Sequence, residues 1–469
     1  MSANGWEPVI GLEIHVQLKT RTKMFCRCAN GFGGEPNTQT CPVCLAHPGA
    51  LPVPNRQAVE WTILLGLALG CEIAPRAIFH RKNYFYPDNP KGYQVSQYDE
   101  PLCVDGRLLL PGPDGDSEVG IVRAHLEEDA AKTVHVGGAE GRIHGSESSL
   151  VDFNRAGTPL VEIVTAPDLR SAEQAKRFLQ LLRQTVVELG ISDAEMEKGS
   201  LRFDVNVSVR EEGGAELRTR TELKNMNSFN FAAKGIEREV RRQIEIYESG
   251  GTIEQETLHF EPGNESAPPL RSKEEAQDYR YFPEPDLVPL EPERELVERL
   301  RGELREPPAE RIRRLEAEVG FALAEGLVTS GRDDLYSRTA GDRRVVANVL
   351  MNEFAALGED ASAADPTALG EAIAHRSDVS PDTFREAVAA SVSDPASVSE
   401  IVSARAISDV GELDPVIDRI LGEHESQVEA YRGGKEGLLG FFVGQVMKET
   451  GGNANPKVVN ERLREKLNA

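Results

Sequence analysis

The stretch that decides the fold is residues 9–18, VIGLEIHVQL, in which apolar and polar side chains alternate from Leu12 onwards. Successive side chains of a β-strand point to opposite faces, so the apolar even-numbered residues are predicted to face a core. The odd-numbered residues Glu13, His15 and Gln17 then share the other face. The pattern predicts a strand that is buried on one side and carries ionisable side chains on the other.

Three further stretches, residues 121–129, 201–209 and 217–224, show the same alternation. One interpretation is an antiparallel sheet with a solvated polar face, which commonly gives this pattern. The other is a ligand-binding face, because carboxylates, His and Asn suit Mg²⁺ while Arg and Lys neutralise phosphate oxygens. The sequence has no GxxxxGK[ST] loop, so any ATP site is expected on such a sheet. The polar faces of the three stretches carry Arg123, His125, Glu127 and Asp129; Arg202, Asp204, Asn206 and Ser208; and Arg218, Arg220, Glu222 and Lys224.

The cysteines indicate a metal site rather than a disulfide scaffold, because six cysteines are few for a chain of 469 residues. Two close pairs on turn-forming sequence can converge tetrahedrally on Zn²⁺, which predicts a structural zinc site. His47 is a candidate substitute ligand, and four reduced core cysteines are the alternative. Cys71 and Cys103 are expected to be buried as small apolar residues. The predicted zinc ligands are Cys26, Cys28, Cys41 and Cys44.

Residues 80–88, HRKNYFYPD, form a dense run of basic and aromatic residues that is predicted to be a loop. Such side chains suit phosphates and bases, and a polar turn with packed aromatic rings is the alternative. On the first interpretation the nucleotide contacts are His80, Arg81, Lys82 and Tyr84, together with Arg202.

The length of the chain predicts two or three domains. The longest apolar run, residues 61–71, is about half of what a membrane-spanning helix needs, and the first residues do not resemble a secretory signal. We therefore expect a soluble cytoplasmic protein that does not enter a membrane.

The net charge of −24, with only 14 Lys among 53 basic residues, is unusual for a protein that binds nucleic acid. Either the protein avoids nucleic acid, or its whole surface is acidified for a salt-rich cytoplasm and local basic patches remain. The second interpretation predicts a halophilic archaeon as the source. Net charge alone does not decide between them.

The order of elements predicts an α+β protein. Residues 9–260 mix strands and helices, residues 261–293 are Pro-rich and are interpreted as a boundary, and residues 296–432 have helical periodicity. A capping box begins a helix at Ser171, and Gly190 ends it. A second helix ends at residues 250–251. The apolar stripes of these helices are predicted to be Phe178, Leu182, Val186 and Leu189, and Phe229, Ala233, Ile236, Val240, Ile244 and Tyr247.

Long stretches of the chain resemble the B-subunit family of tRNA-dependent amidotransferases. The likeness extends over essentially the whole chain, including a Gly-rich tail at residues 431–467. One departure is Val205, where the family is expected to have Ala; it lies on the apolar face and should be harmless. The matching stretches are GLEIHVQL (11–18), TCPVC (40–44), RKNYFYPD (81–88), QVSQY (94–98), LEEDA (126–130), DFNRAGTPLVEI (152–163), MEKGSLR (196–202), DVNVS (204–208) and ELKNMNSF (222–229).

The resemblance implies a cradle-shaped N-terminal domain in residues 1–293, whose antiparallel sheet is similar to the cores of glutamine synthetase and guanidino kinases. An all-helical domain would follow in residues 294–410. A small helical tail, residues 411–469, would contact tRNA, and the alternative for its cations is the solvated face of a helical bundle. These cations are Arg432, Lys435, Lys448, Lys457, Arg462, Arg464 and Lys466.

The resemblance also implies an activity. ATP would phosphorylate the side-chain carboxylate of Glu-tRNA(Gln) or Asp-tRNA(Asn), and ammonia would then displace the phosphate. The sequence has no site that resembles an amidase, so ammonia is expected from a partner amidase, the A-subunit, with a small C-subunit completing a heterotrimer. Mg²⁺ would be held or oriented by Glu13, His15, Glu127, Glu128 and Asp204. Phosphate or the metal ligands would be contacted by Asn206, Glu222, Lys224 and Arg155.

Other classes of function compete with this one. A non-catalytic tRNA-binding scaffold would use only the cysteine site and the tail. A related archaeal protein pairs with an asparaginase-like partner, but it carries a large insertion for which 469 residues leave no room. A plain zinc-bearing RNA-binding protein would leave the carboxylate-lined strands unexplained.

Overall fold

The computed structural model describes residues 5–137, 145–224, 226–259, 269–272, 279–358, 363–403, 410–450 and 454–468. The chain forms two compact units, residues 1–310 and 311–469. The strands of the first unit are β1 (Trp6–Gln17), β2 (Glu72–Ile73), β3 (His80–Asn83), β4 (Tyr93–Ser96), β5 (Cys103–Gly112), β6 (Gly115–Glu128), β7 (Lys132–Val136), β8 (Ser148–Asp152), β9 (Pro159–Thr165), β10 (Leu201–Glu211), β11 (Thr221–Lys224), β12 (Glu256–His259), β13 (Pro269–Ser272) and β14 (Phe282–Pro283). Its helices are α1 (Arg56–Ala68), α2 (Ala172–Glu188), α3 (Phe229–Glu248) and α4 (Arg294–Arg301).

Among the described residues, nine strands form the main sheet in the order β13-β12-β11-β10-β1-β9-β6-β5-β2. Neighbouring strands are antiparallel except for β11 and β12, which run parallel. The expectation of a purely antiparallel sheet is therefore wrong at this pair, and the sheet is mixed. The α+β class is confirmed.

The alternation in the sequence is explained by burial on one face of the sheet. The even-numbered residues from Leu12 to Leu18 are buried, as are the odd-numbered residues from Leu201 to Val209. In β6 the register against β9 shifts between Ile121 and Arg123. The extra residue of this bulge, Val122, is exposed, so the polar face of β6 begins at Arg123.

The prediction of a strand over residues 217–224 is wrong in its first half, because β11 begins at Thr221. Arg218 lies instead beside the stacked rings of Trp6 and Tyr247, 4.7 Å from the centre of the first and 4.6 Å from that of the second. Its guanidinium also donates to Glu211 at 2.9 Å. These partners hold Arg218 away from the polar face of β11.

The prediction of a loop over residues 80–88 is also wrong in part, because residues 80–83 form β3. This strand pairs with β4 on one side and with β14 on the other, in a second sheet. The described part of the Pro-rich stretch therefore packs into the first unit, and Leu290 makes a further bridge to Ala77. Residues 261–268 and 273–278 of that stretch lie outside the described residues.

Helix α2 begins where the sequence predicts. The Ser171 hydroxyl accepts from the Gln174 amide at 3.1 Å, and the Gln174 side chain accepts from the backbone of Arg170. Gly190 has φ +69°, which ends the helix in a left-handed turn. Three residues of the predicted stripe, Phe178, Leu182 and Val186, are fully buried.

Helix α3 buries a different stripe from the predicted one. Ile236 and Ile244 are buried as expected, but the remaining buried positions include Glu239 and Gln243. Both polar side chains bond to Thr221 of β11, at 2.8 and 2.9 Å. Polar partners on a distant strand thus decide which side of α3 faces the sheet.

Helix α4, which the sequence assigns to the helical domain, lies in the first unit, where Arg299 is 3.2 Å from Glu60 of α1. The domain boundaries 293/294 and 410/411 stay predictions. No described helix is long and apolar enough to cross a membrane. The later helices are α5 (Pro308–Val319), α6 (Phe321–Thr329), α7 (Asp333–Arg338), α8 (Arg343–Val349), a π-turn (Leu350–Phe354), α9 (Ala355–Leu357), α10 (Pro366–Ala374), α11 (Pro381–Ser393), α12 (Val398–Ser403), α13 (Val410–Glu423), α14 (Glu425–Arg432), α15 (Leu439–Glu449) and α16 (Pro456–Asn468).

Candidate active site and metal centre

The polar face of the main sheet carries side chains in rows that run across the strands. His15 of β1 lies opposite Arg202 of β10 on one side and opposite Glu162 of β9 on the other. Glu162 lies in turn opposite His125 of β6. The next row begins with Glu13, which faces Asp204. Directly opposite residues of an antiparallel pair point to the same face, so these groups converge.

Among the described residues, two groups on this face have the composition and spacing of a metal site. One comprises Glu13, His15 and Glu162, and the other His125, Glu127 and Glu162; within each, the ligand atoms lie within 4.8 Å of one another. His15 Nε2 is 3.4 Å from Glu162 Oε2 and 3.5 Å from Glu127 Oε1. Because Glu162 belongs to both groups, we call the five residues together the acidic cluster.

The acidic cluster has a strong internal field. Burial would lower the pKa of His15, but the carboxylates of Glu162 and Glu127 raise it to about 9. Burial and the charge of Glu162 raise the pKa of Glu127 to about 7. His125 has its pKa lowered to about 4 by burial, so its imidazole is neutral at pH 7. Burial opposes ionisation of Glu162, yet the histidines hold its pKa well below the usual range.

Cations surround this cluster. The Lys224 ammonium is 2.6 Å from Asp204 and 3.1 Å from Glu222, so the Asp204 carboxylate is already paired. Arg123 is 3.5 Å from Glu162. Burial would lower the pKa of Lys82, but the charges of Glu127 and Glu162 raise it. Such cations are the side chains that bind phosphate oxygens in proteins.

A cleft of about 660 Å³ opens beside the Glu13 end of the cluster. This volume is within the range of small-molecule sites. Its walls include Gly11, Arg123, Asn206 and Arg220, so it combines backbone surface with polar groups that can bind an anionic ligand.

Several predicted site residues point elsewhere. Glu128 follows Glu127 and lies on the other side of β6, where it pairs with Lys91 and accepts from the Val95 amide at 2.9 Å. Arg155 donates to the carbonyls of Ala130 and Ala131, both at 2.9 Å.

The side chains predicted from residues 80–88 to contact a nucleotide also have different partners. Arg81 makes two 2.7 Å bonds to the buried Glu284, whereas Lys82 approaches the acidic cluster. His80 pairs with Asp99 at 3.1 Å, and the ring of Tyr84 packs edge-on against that of Tyr279.

On the sheet, Arg202 bonds to Asp129 at 3.0 Å. Asn206 lies opposite Glu222 and lines the cleft.

Sequence reasoning missed Glu162 and did not carry His125 into the predicted site. Glu162 interrupts the apolar run PLVEIVT, residues 159–165, which otherwise has the composition of a buried strand. A single carboxylate in such a run is costly unless it is paired, and that was the available signal.

The four predicted zinc ligands converge, with all sulfur atoms within 4.8 Å of one another. Cys44 is buried and the other three are partly exposed. A hydrogen bond from Cys26 and the charge of Lys23 lower the pKa of Cys44 to about 5, which favours a thiolate ligand. The buried Lys23 ammonium is 3.8 Å from Cys44 Sγ. The donor set fits a tetrahedral thiophilic metal, His47 is exposed and outside the cluster, and Cys71 and Cys103 are buried as expected.

The first unit thus combines a cysteine cluster with a mixed sheet whose polar face is acidic and flanked by cations, and a helical unit follows it in the chain. Residues 8–298 match the family described as GatB/GatE catalytic domain, and residues 336–467 match the family described as GatB domain.

Relatives extend this similarity over the full length. A protein of Syntrophotalea carbinolica is 46% identical over 98% of both chains. Proteins of Geotalea daltonii and Halorhodospira halophila are 48% and 47% identical, over 98% of this chain and 99% of theirs. All three are named as the B-subunit of aspartyl/glutamyl-tRNA(Asn/Gln) amidotransferase. The chain belongs to this B-subunit family, and the resemblance inferred from the sequence is confirmed; a halophilic archaeal origin stays a prediction.

Proposed function

We propose that this chain activates the side-chain carboxylate of Glu-tRNA(Gln) or Asp-tRNA(Asn) with ATP and then passes it to ammonia. The observation that carries the proposal is the acidic cluster, whose two groups share Glu162 beside a cleft large enough for a nucleotide. The family to which the chain belongs supports the same reaction. A similarity of the sheet to glutamine synthetase and guanidino kinases is part of this proposal.

In the reaction, an oxygen of the substrate carboxylate attacks the γ-phosphorus of ATP and ADP leaves. Ammonia then attacks the carbonyl carbon of the acyl phosphate, and inorganic phosphate departs with the bonding electrons. The residues proposed to hold Mg²⁺ are Glu13, Glu127 and Glu162, together with His15, which would have to release the proton that its raised pKa keeps on the ring before it could act as a ligand. When bound, the ion would neutralise charge between phosphate groups. Asp204 is the weaker candidate, because Lys224 already occupies its carboxylate.

The cations of the site have a separate task. Lys82 and Arg123 flank the carboxylates on the side of β3 and β6, and Arg220 lines the cleft. Phosphoryl transfer depends mainly on positioning and on neutralising the oxygens around phosphorus. These three side chains are proposed to hold the phosphate oxygens while the carboxylate approaches.

The reaction needs a source of ammonia, and the family resemblance implies which partners supply it. Ammonia is proposed to come from glutamine hydrolysed by a partner amidase, the A-subunit, in a cytoplasmic heterotrimer with a small C-subunit. The isolated chain should then make no amidated tRNA from glutamine but some from ammonium. Robust glutaminase activity of the isolated chain would contradict this arrangement.

The cysteine cluster is proposed to hold a structural Zn²⁺, and the tail to contact tRNA. The tail, α13 to α16, has a core of its own that includes Leu413, Phe442 and Leu463. Of its cations, Arg462 and Lys466 pair with Asp414. Arg432 donates to carbonyls at the end of α16. The exposed cations that remain for phosphate are Lys435, Lys448, Lys457 and Arg464.

The deciding experiment measures ATP hydrolysis that depends on misacylated tRNA, using the assembled complex with Glu162→Gln and Glu118→Gln variants. Glu118 lies on β6 with 65% of its side chain exposed, so its variant is a matched control. Stimulated hydrolysis should disappear only in Glu162→Gln. If the wild-type complex binds tRNA but shows no stimulated hydrolysis, the scaffold function is correct instead.

A further inference from the structure

Three tyrosines form a partly exposed aromatic group next to the acidic cluster; we call Tyr98, Tyr279 and Tyr281 the tyrosine cluster. The rings of Tyr98 and Tyr281 stack with centroids 4.2 Å apart and planes 8° from parallel. Tyr279 packs edge-on against Tyr281 at 6.2 Å. One face of the Tyr98 ring is covered by Tyr281, and the residue is still 54% exposed. The His80 ring lies at 76° to that of Tyr98, with centroids 6.2 Å apart, and the exposed surface of Tyr98 that remains is available for stacking.

The backbone that presents these rings is strained. Arg280, between Tyr279 and Tyr281, has φ +45°, in the left-handed region that non-glycine residues seldom adopt. The Asn83 side-chain amide donates to the carbonyls of both Tyr279 and Arg280, at 3.2 and 2.7 Å. A strained conformation held by a dedicated side chain is common at ligand sites.

The tyrosine cluster borders one end of the acidic cluster. The Lys82 ammonium lies 5.0 Å from the centre of the Tyr279 ring, and its charge also acts on Glu127 and Glu162. On the Tyr98 side, Ser96 donates to Glu127 at 3.2 Å.

The cleft lies in the other direction along the sheet. Residues of β1 between Val9 and Glu13 line it. Followed across β9, the strand register places Glu127 of β6 level with Gln17 of β1, which lies beyond His15. The carboxylates thus lie between the cleft and the tyrosine cluster. A nucleotide in the cleft and a second substrate on the tyrosines would approach the acidic cluster from opposite ends.

We propose that the tyrosine cluster binds the terminal adenosine of the aminoacyl-tRNA by stacking its base on Tyr98. This inference rests on the proposed function, because it requires an aminoacyl-tRNA whose side-chain carboxylate must reach the acidic cluster. The amino acid is esterified to the ribose of that adenosine, so anchoring the base fixes the position of the carboxylate. Proteins commonly hold splayed single-stranded bases on aromatic rings. The adenine of ATP is the other source of such a base, and the cleft provides a separate place for it.

The test compares two uncharged tRNAs, intact and lacking only the terminal adenosine, bound to the assembled complex. With the wild-type chain the intact tRNA should bind on the order of tenfold more tightly, as expected for one stacked base. Tyr98→Ala should reduce this difference to about twofold or less. Tyr98→Phe should keep it, because the ring remains.

Phe282→Ala is the matched control, since this partly exposed ring follows Tyr281 but lies against Arg81, with the guanidinium 5.6 Å from its centroid. It should keep the full difference between the tRNAs. A Tyr98→Ala protein that still prefers the intact tRNA as strongly as the wild type, with an unchanged melting temperature, would overturn the proposal.

Two outcomes separate the competing explanations. If Tyr98→Ala raises the KM for ATP and leaves the tRNA preference intact, the tyrosines hold the adenine of ATP and the inference is wrong. If the wild-type complex discriminates between the tRNAs but shows no tRNA-stimulated ATP hydrolysis, the proposed activity fails while the adenosine site stands.

Discussion

Replacement of Glu162 by Gln removes one charge from the centre of the acidic cluster and keeps the shape of the side chain. Glu162 is only 8% exposed and lies 3.4 Å from His15 and 3.5 Å from Arg123. Glu162 shares one candidate metal-binding group with Glu13 and the other with Glu127, and the ligand atoms within each group lie within 4.8 Å of one another. The substitution therefore removes attractions and repulsions together.

Coulomb's law with an effective dielectric constant of about 20 gives about 5 kcal/mol for each of the two attractions. The same law gives about 3.5 kcal/mol for each of the two repulsions at about 4.8 Å. At about pH 8, where Glu127 is ionised and His15 is still protonated, the folded state should therefore lose about 3 kcal/mol or less of its unfolding free energy. Both groups, in contrast, lose their shared anionic ligand, so the affinity for Mg²⁺ should fall at least about tenfold.

The measurement pairs urea denaturation with Mg²⁺ titration by calorimetry, for Glu162→Gln and for the exposed control Glu118→Gln. The variant should unfold cooperatively with an unchanged m-value while its Mg²⁺ affinity falls, and the control should match the wild type in both. Wild-type Mg²⁺ affinity in Glu162→Gln would refute the assignment of the cluster. A loss of stability far above 3 kcal/mol would contradict the balance of attractions and repulsions around Glu162.

The other predictions test three further parts of the chain. Glu284→Gln should lower the unfolding free energy by about 3 kcal/mol in urea denaturation, because the buried Glu284 carboxylate accepts both 2.7 Å bonds from Arg81 and only the partly exposed Asp286, 3.6 Å away, would remain as an anion for the guanidinium; a loss below about 1 kcal/mol would contradict a structural role for the pair. Cys44→Ser should reduce the zinc content measured by mass spectrometry and lower the melting temperature, whereas Cys71→Ser should keep the zinc; equal zinc content in both variants would exclude the cysteine site. Lys457→Glu should weaken tRNA binding and lower the slope of log affinity against log salt by about one or more, and an unchanged slope would place the tRNA contact elsewhere.

The sequence predicted the main strands because their signal is local. A period of two in residues 9–18 requires only that one face be buried, and the structure buries it. The same reasoning failed for Glu162, since the strand around it is apolar on both faces and its partners come from β1 and β6. The alternation placed Glu127 on the polar face, whereas the resemblance also named Glu128, which one residue along a strand puts on the other face.

Other errors have their cause in partners that are distant in the chain. Residues 80–83 form a strand because β4 pairs with all four of them, and β14, about 200 residues later, pairs with His80 and Arg81. Hydrogen bonds between Thr221 and the side chains of Glu239 and Gln243 help to hold that side of α3 against the sheet. Arg81 has the chemistry of a phosphate ligand, yet its Nε and Nη2 both donate to the Glu284 carboxylate. Local composition carries no information about these partners.

The acidic cluster also bears on the unfavourable net charge. Carboxylates within 4.8 Å of one another destabilise a fold, and here they are offset by Lys82, Arg123 and a His15 whose pKa is about 9. These cations are concentrated on the polar face of the sheet, while the chain as a whole carries −24. Local potential, rather than net charge, decides whether an anion can approach such a site. An acidic surface is therefore compatible with anionic substrates, provided that they reach the sheet by local routes. The proposed routes are the cleft for the nucleotide and the tyrosine cluster for the tRNA, and not the general surface.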